Sequence, residues 1–439
     1  MLQTLRNAWK IPELRKKFLF TILLLVIFRF GSVIPVPWID KEALQAWLSG
    51  NGAGGNTLFS LLDTFSGGAF SGATIFAMSI SPYINSSIII QLLCVAIPAL
   101  ERLSKEGEEG RKKIIKITRY LTVVLAAAQA YGLYVTLHNQ NAIMAVSGVP
   151  GYLVAITIVL SFTAGTAFLM WLGEQITGRG IGNGISMLIF AGIVSRVPHM
   201  VNTAWVGFVG QGKWYFFLIL MVYSLLSIMF VILVNQGERR IPVQYSKRVV
   251  GRKMYGGQSS NIPIKVAMAG VMPIIFAMSI MSFPGTLAQL FGSQPGDFLY
   301  KASQFLTSGA IYPILYFLLI VGFTYFYTSI SFNPIEVSNN IKNNNGMIPG
   351  IRPGRSTTDY IAKVLGRITL IGAMFLALIA VVPIVLTQVL SNYNILPTND
   401  LSAISLTGTS LLIVVGVALE TVREVESQMV MRHYKGFLE

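Results

Sequence analysis

Few residues in this 439-residue chain have the type and spacing that chemistry requires. His138, His199 and His433 lie far apart and Cys94 is the lone cysteine, so no ligand spacing for a metal exists and no intramolecular disulfide can form. Cys94, inside an apolar run, reads as a small packing residue. The stretch GEQITGRGIGNGIS (173–186) places glycines at alternate positions and superficially resembles a phosphate cradle. No strand signal precedes it and no Gly-Lys-Ser/Thr follows, so a flexible connection with close helix approach is the better reading. Ionisable residues in apolar surroundings are few: Arg29 late in the first apolar run, Asp63 just before the second, and Glu420 at the end of the last. Ion-coupled carriers need carboxylates or histidines within their spans, and no such relay is present here.

The elements that must position these residues are membrane helices. The chain is 53% hydrophobic and only 12% charged, about half the charged fraction usual in soluble domains. Apolar runs of roughly bilayer length, ~20 residues, recur between polar loops. Ten spans are expected, near 18–37, 74–98, 118–138, 151–172, 183–198, 214–234, 265–291, 310–331, 368–390 and 407–422. The first follows a basic segment and lacks a small-residue cleavage site, so it is read as a retained helix rather than a signal peptide.

Charge sets the orientation. The net charge is +15. Lys and Arg crowd the segments 1–17, 101–119, 235–265, 332–367 and 423–439, whereas the alternate loops carry only Lys41, Arg196, Lys213 and Lys301. That asymmetry predicts cytoplasmic amino and carboxyl termini. Topology and anionic lipid account for most of these charges. Two loops, 237–263 and 332–367, are longer than topology needs and combine paired basic residues with Pro and Gly, as in PGIRPGR (349–355). Such loops can form ordered hairpins that project into the cytoplasm and present arginines to an anionic partner.

The most unusual stretch is FSLLDTFSGGAFSGATIFAMSISPYINSSIII (59–90). Residues 57–66 have helical apolar spacing at Leu58, Leu61, Leu62 and Phe65 but are too few to cross a bilayer, and Gly67-Gly68 then interrupts them. A half-helix at membrane depth requires surrounding protein or a water-filled cavity. Ser66, Ser71 and Asp63 would meet water there, the glycine pair would let the half-helix swing, and Pro82 would loosen the start of the next helix. Ordinary helix packing by small residues is the competing explanation.

FRFGSVIPVP (28–37), FSGGA (65–69), PYINSSIIIQLL (82–93), EGEEGRKK (106–113), TAFLMWLGEQITGRGIGNGIS (166–186), IPGIRPG (348–354) and GTSLLIVVGVALE (408–420) together resemble the bacterial SecY family. The motifs span the chain in matching order. Asn85 stands where relatives commonly carry a small or hydroxylated residue. The resemblance implies an all-α polytopic membrane protein with ten transmembrane helices in two inverted pseudo-symmetric halves, 1–198 and 199–439, around a central pore. It implies a protein-conducting channel, not an enzyme, with no cofactor, in the cytoplasmic membrane. The half-helix (Leu58, Leu61, Leu62, Asp63, Phe65, Gly67, Gly68) matches the family's plug, and the second and seventh spans match its lateral gate. Ile80, Ile84, Ile185, Ile189, Ile275 and Leu411 match the apolar pore ring. Implied partners are the small subunits SecE and SecG, the motor ATPase SecA, the ribosome through its RNA, signal sequences, nascent polypeptides and membrane lipids. Docking would fall to Arg239, Arg240, Lys247, Arg248, Arg252, Lys253, Arg352 and Arg355.

Three classes can be set against these residues. A protein-conducting channel predicts a plug, an uncharged lumen and projecting basic loops. A secondary transporter predicts broken helices but also buried ionisable residues. A membrane enzyme requires a catalytic or metal constellation near an interface. The residues favour the first.

Overall fold

The computed structural model describes residues 6, 8–49, 63, 66–144, 149–210, 212, 214–245, 248–250, 253–255, 259–290, 301, 305–306, 311–392 and 398–435. Its helices are α1 (Pro12–Gly31), α2 (Lys41–Ser49), α3 (Ser81–Ala96), α4 (Pro98–Lys105), α5 (Glu108–Asn139), α6 (Gly151–Arg179), α7 (Gly184–Gly210) and α8 (Trp214–Gln236), followed by α9 (Met272–Leu290), α10 (Ile311–Ser331), α11 (Pro334–Asn343), α12 (Arg355–Asn392) and α13 (Thr398–Lys435). Between α8 and α9 lie β1 (Glu238–Tyr245), β2 (Arg248–Val250), β3 (Lys253–Tyr255) and β4 (Ser259–Lys265), and β5 (Gly346–Met347) follows α11. The all-α expectation is therefore corrected by a small β component within the two long loops.

Among the described residues six helices are long and apolar enough to cross a membrane, and a seventh span results if the bent pair α3–α4 counts as one. Several boundaries differ from the apolar runs for local reasons. The second span was expected from 74, but 74–80 is a series of turns in which Ser79 has φ 52°. That left-handed angle cannot continue a right-handed helix. Pro82 lies in the first turn of α3, where a missing N–H costs nothing, so it starts the helix rather than loosening it. Ile97, ahead of Pro98, is extended at ψ 114°, and the chain turns by 102° into α4. Likewise α9 begins at Met272 rather than 265, because 266–271 is turn with Gly270 at φ 59°.

Helices α5, α12 and α13 continue well beyond their apolar stretches. Hydropathy marks where lipid ends, whereas a helix ends only where its backbone is interrupted.

Two groups of helices meet along two seams. On one side α9 packs against α3 and α5, and on the other α7 packs against α8 and α13. The largest apolar cluster lies between, drawing side chains from α1, α3, α6, α7, α8 (Val231), α9, α10, α12 and α13. At the periphery, α8 buries only Ser227, Val231, Val234 and Asn235 and exposes Leu218, Val222, Leu225, Leu226, Met229 and Leu233, a composition suited to lipid.

The long loops form one body. β1 pairs antiparallel with β4 in the register Ile241↔Ile262 and with β5 at Gln244↔Met347, giving the order β4-β1-β5. Ile241, Val243 and Ile264 from the first loop pack with Ile341, Ile348, Ile361 and Leu365 from the second. Alternation along β1 buries Ile241 and Val243 while Arg239, Arg240 and Gln244 stay exposed.

Candidate functional site

Six side chains were expected to form an apolar ring. Ile80 closes the turn before α3 and is 2% exposed, Ile84 sits one helical turn later, Ile185 and Ile189 lie one turn apart on α7, and Ile275 lies on α9. Ile80, Ile189 and Ile275 are buried members of the central cluster, and Ile84 and Ile185 pack against it. Leu411, on α13, is half-buried, while its neighbours Leu412 and Ile413 enter the cluster. Five of the six residues, from three separate elements, thus converge in one apolar cluster that also holds Met278, Met281 and Ile193. Asn85, beside Ile84 on α3, is buried.

Of the seven plug residues, Leu58, Leu61, Leu62 and Phe65 lie outside the described residues; Asp63, Gly67 and Gly68 lie within them. Gly67 and Gly68 have φ of 67° and 88°, angles that glycine alone adopts readily, and they form a docked turn. A Cβ on Gly67 would stand 2.8 Å from Ser195 Oγ and 3.0 Å from the Gly192 carbonyl oxygen on α7. Asp63 is 4% exposed and forms an ion pair with Arg196, also on α7. Its Oδ1 accepts from the Ser71 N–H at 2.8 Å, and its carbonyl accepts from Gly68 N–H at 2.8 Å and Ser66 Oγ at 3.1 Å. Arg29, near the end of α1, donates from Nη1 to the Gly67 carbonyl at 3.1 Å and to Ser195 Oγ at 3.3 Å. Downstream, Val36 N–H donates to the Ala73 carbonyl at 2.8 Å and Ile75 N–H to the Ile34 carbonyl at 3.1 Å, fixing the chain that leads to Ile80.

Arg196, Ser195 and Gly192 are the residues of this seat that sequence reasoning missed. The available signal was charge: Arg196 is one of four basic residues in the sparsely charged loops, and Asp63 is one of the few ionisable residues in apolar surroundings.

The glycine-rich loop does structural work. Gly182 has φ 73°, and a Cβ on Gly184 would fall 1.9 Å from the Gly173 carbonyl oxygen, so helices α6 and α7 pack backbone to backbone. Asn183 Oδ1 caps α7 by accepting from the Ile185 N–H at 3.1 Å.

The docking candidates divide. Arg239 and Arg240 are exposed on β1, with Arg240 paired to Glu238 at 2.7 Å. Lys247 and Arg252 lie outside the described residues, and Arg248 and Lys253 fall on the paired strands β2 and β3. Arg352 and Arg355 are exposed on the turn into α12. Thr357 Oγ1 donates to the Arg352 carbonyl at 2.9 Å and Ser338 Oγ to the Gly354 carbonyl at 3.0 Å, so this turn is pinned from both flanking helices.

A bundle of apolar helices with polar backbone seated inside it and a charged, ordered body at one end defines a polytopic membrane channel. The SecY family model matches residues 74–422. The chain is 45% identical to the protein translocase subunit SecY of Thermotoga maritima, covering 100% of this chain and 98% of that one, and 43% identical to the same subunit of Bacillus subtilis with 100% coverage of both. It belongs to the SecY family, and its function is that of a protein-conducting channel.

Solved structures agree in fold. One described as a protein conducting channel superposes with a TM-score of 0.61 at 18% identity, covering 97% of this chain and 96% of that one. Another, of a SecY channel whose plug domain stabilises the closed state and maintains a membrane seal, gives 0.62 at 17% identity with the same coverage. Sec61 from the canine ribosome-channel complex gives 0.59 at 16% identity, again covering 97% of this chain and 96% of that one.

Proposed function

We propose that ten spans, in inverted halves 1–198 and 199–439, surround a pore that passes unfolded proteins across the cytoplasmic membrane and releases apolar segments sideways between α3 and α9. The observation that carries this reading is the convergence of Ile80, Ile84, Ile185, Ile189 and Ile275 on one apolar cluster. A narrow apolar collar dewets and blocks ions, yet offers a passing chain no charge to hold it. Leu411 completes the collar from α13. The segment Leu58 to Phe70, about 57–70, with Asp63 buried in its seat, forms a second seal in series as the plug. Having no charged relay, the channel is a passive conduit driven by SecA or the ribosome. Both termini and the β4-β1-β5 body face the cytoplasm, where basic residues concentrate. Arg239, Arg240, Lys247, Arg248, Arg252, Lys253, Arg352 and Arg355 form the docking face for these partners; SecE and SecG complete the complex.

Planar-bilayer recordings test the collar. Deleting the plug alone should give a small flickering conductance, and Ile84→Ser with Ile189→Ser a small one also. Combining them should raise conductance well beyond the sum of the two. Additive leaks, or none, would show that these isoleucines do not close the pore.

A further inference from the structure

Asp63 and Arg196 are 133 residues apart in the chain, yet their side chains meet where Asp63 and the 66–71 turn rest on α7. The surroundings make this contact unlike a surface ion pair. Asp63 is 4% exposed, and the side chain of Arg196 only 23%. Each carboxylate oxygen has a separate duty: one faces the guanidinium and the other accepts the Ser71 N–H. Arg196 Nη1 also reaches the Asp63 carbonyl at 3.3 Å. A second cation, Arg29, holds the next turn through the Gly67 carbonyl and links it to Ser195, whose hydroxyl is itself fixed on the Gly192 carbonyl at 2.8 Å. The whole turn is therefore gripped by α1 and α7.

Lifting the segment away would leave both charges to find new partners. A buried pair adds little stability over an apolar alternative, but parting it is costly because each ion loses its counter-charge in a poorly solvated place. A contact of that kind is a switch rather than a brace: firm while closed, and without hold once water enters.

We propose that Asp63 and Arg196, aided by Arg29 on Gly67, form an electrostatic latch that holds the plug on α7 and sets the threshold for its displacement. The inference rests on reading 57–70 as the plug. It assigns the glycine pair a seat rather than a free swivel.

The test uses the full channel complex in planar bilayers. Asp63→Asn and Arg196→Gln should each raise the frequency of opening about tenfold or more. The double variant should open no more often than the leakier single one, since both remove the same contact. A second measurement guards against misfolding. In a Cys94→Ser background, Gly67→Cys with Ser195→Cys should cross-link on oxidation, because a Cβ at 67 would stand 2.8 Å from the 195 side-chain oxygen. The oxidised channel should neither conduct nor translocate, and reduction should restore both.

The outcomes separate the latch from the reading beneath it. If deletion of 57–70 produces no leak, the plug assignment fails. If deletion leaks while both charge variants open at the wild-type frequency, or the oxidised cysteine pair still translocates, the plug stands and the latch is wrong.

Discussion

Gly184 shows how little tolerance the centre of this molecule has at the level of one atom. An added Cβ would sit 1.9 Å from the Gly173 carbonyl oxygen, and the colliding group is backbone, which has no rotamer in which to escape. Gly184→Val should therefore force α6 and α7 apart and displace Ile185, the adjacent residue of the proposed collar, whose Cδ1 would stand 2.5 Å from a Cβ on Gly173. Overpacking of this kind costs roughly 1–3 kcal/mol or more. Thermal unfolding of the purified channel should shift to lower temperature. Gly178→Val, where a Cβ would meet open space, should leave it nearly unchanged. Equal midpoints for the two variants would mean that the glycine contact has no role in packing. The close approach of α6 and α7 was legible in the alternating glycines. The Asp63–Arg196 contact was not, since no local pattern relates a carboxylate before α3 to a guanidinium on α7.

At the scale of elements, most of the helices were legible in the sequence because apolar length is a direct record of lipid thickness. Their ends were not. The turn at Ser79, Pro82 at the start of α3, and the continuation of α12 back to Arg355 depend on backbone angles and hydrogen bonds that hydropathy does not register. Ordered hairpins were expected in the loops, but their union was not: β5 is only two residues long and its pairing with β1 is a tertiary fact. That union makes a prediction. Because β1 and the Arg352 turn share one apolar core, Arg239, Arg240 and Arg352 are carried by the same rigid body. Arg352→Glu should place a negative charge against an acidic or phosphate-bearing partner while leaving the fold intact, since the side chain is exposed. Reconstituted vesicles should translocate a substrate several-fold more slowly, with unchanged thermal stability of the channel. Translocation at the normal rate would remove Arg352 from the docking face.

Across the whole molecule, the proposed sideways release between α3 and α9 requires the two groups of helices to part along that seam. Beside the seam on the α9 side, aromatic rings tie α9 to α10: Phe276 meets Phe323 and Tyr327, at ring-centroid distances of 6.2 Å and 4.9 Å. Within it, the Tyr327 hydroxyl on α10 donates to Gln91 Oε1 on α3, and Gln91 Nε2 donates to Ser87 Oγ at 3.2 Å. This chain of polar groups crosses between α3 and α10. Apolar contacts exchange readily for lipid or for an apolar guest helix, whereas a hydrogen bond in hydrocarbon must be given up before the seam can widen. Tyr327→Phe removes the donor while keeping the ring and its tilted contact with Phe276. The seam should then open at lower cost, by about 0.5–2 kcal/mol, and a reporter protein with a weakened signal sequence should be exported several-fold better than by the unchanged channel. Gln91→Leu strips the same bond from the other side, and since each variant leaves one member of the pair unpaired, its gain should be similar. If neither variant accepts the weakened signal better, while a reporter with an intact signal is exported normally by both, then the bond between α3 and α10 does not restrain the gate, and closure rests on apolar packing along α9 alone.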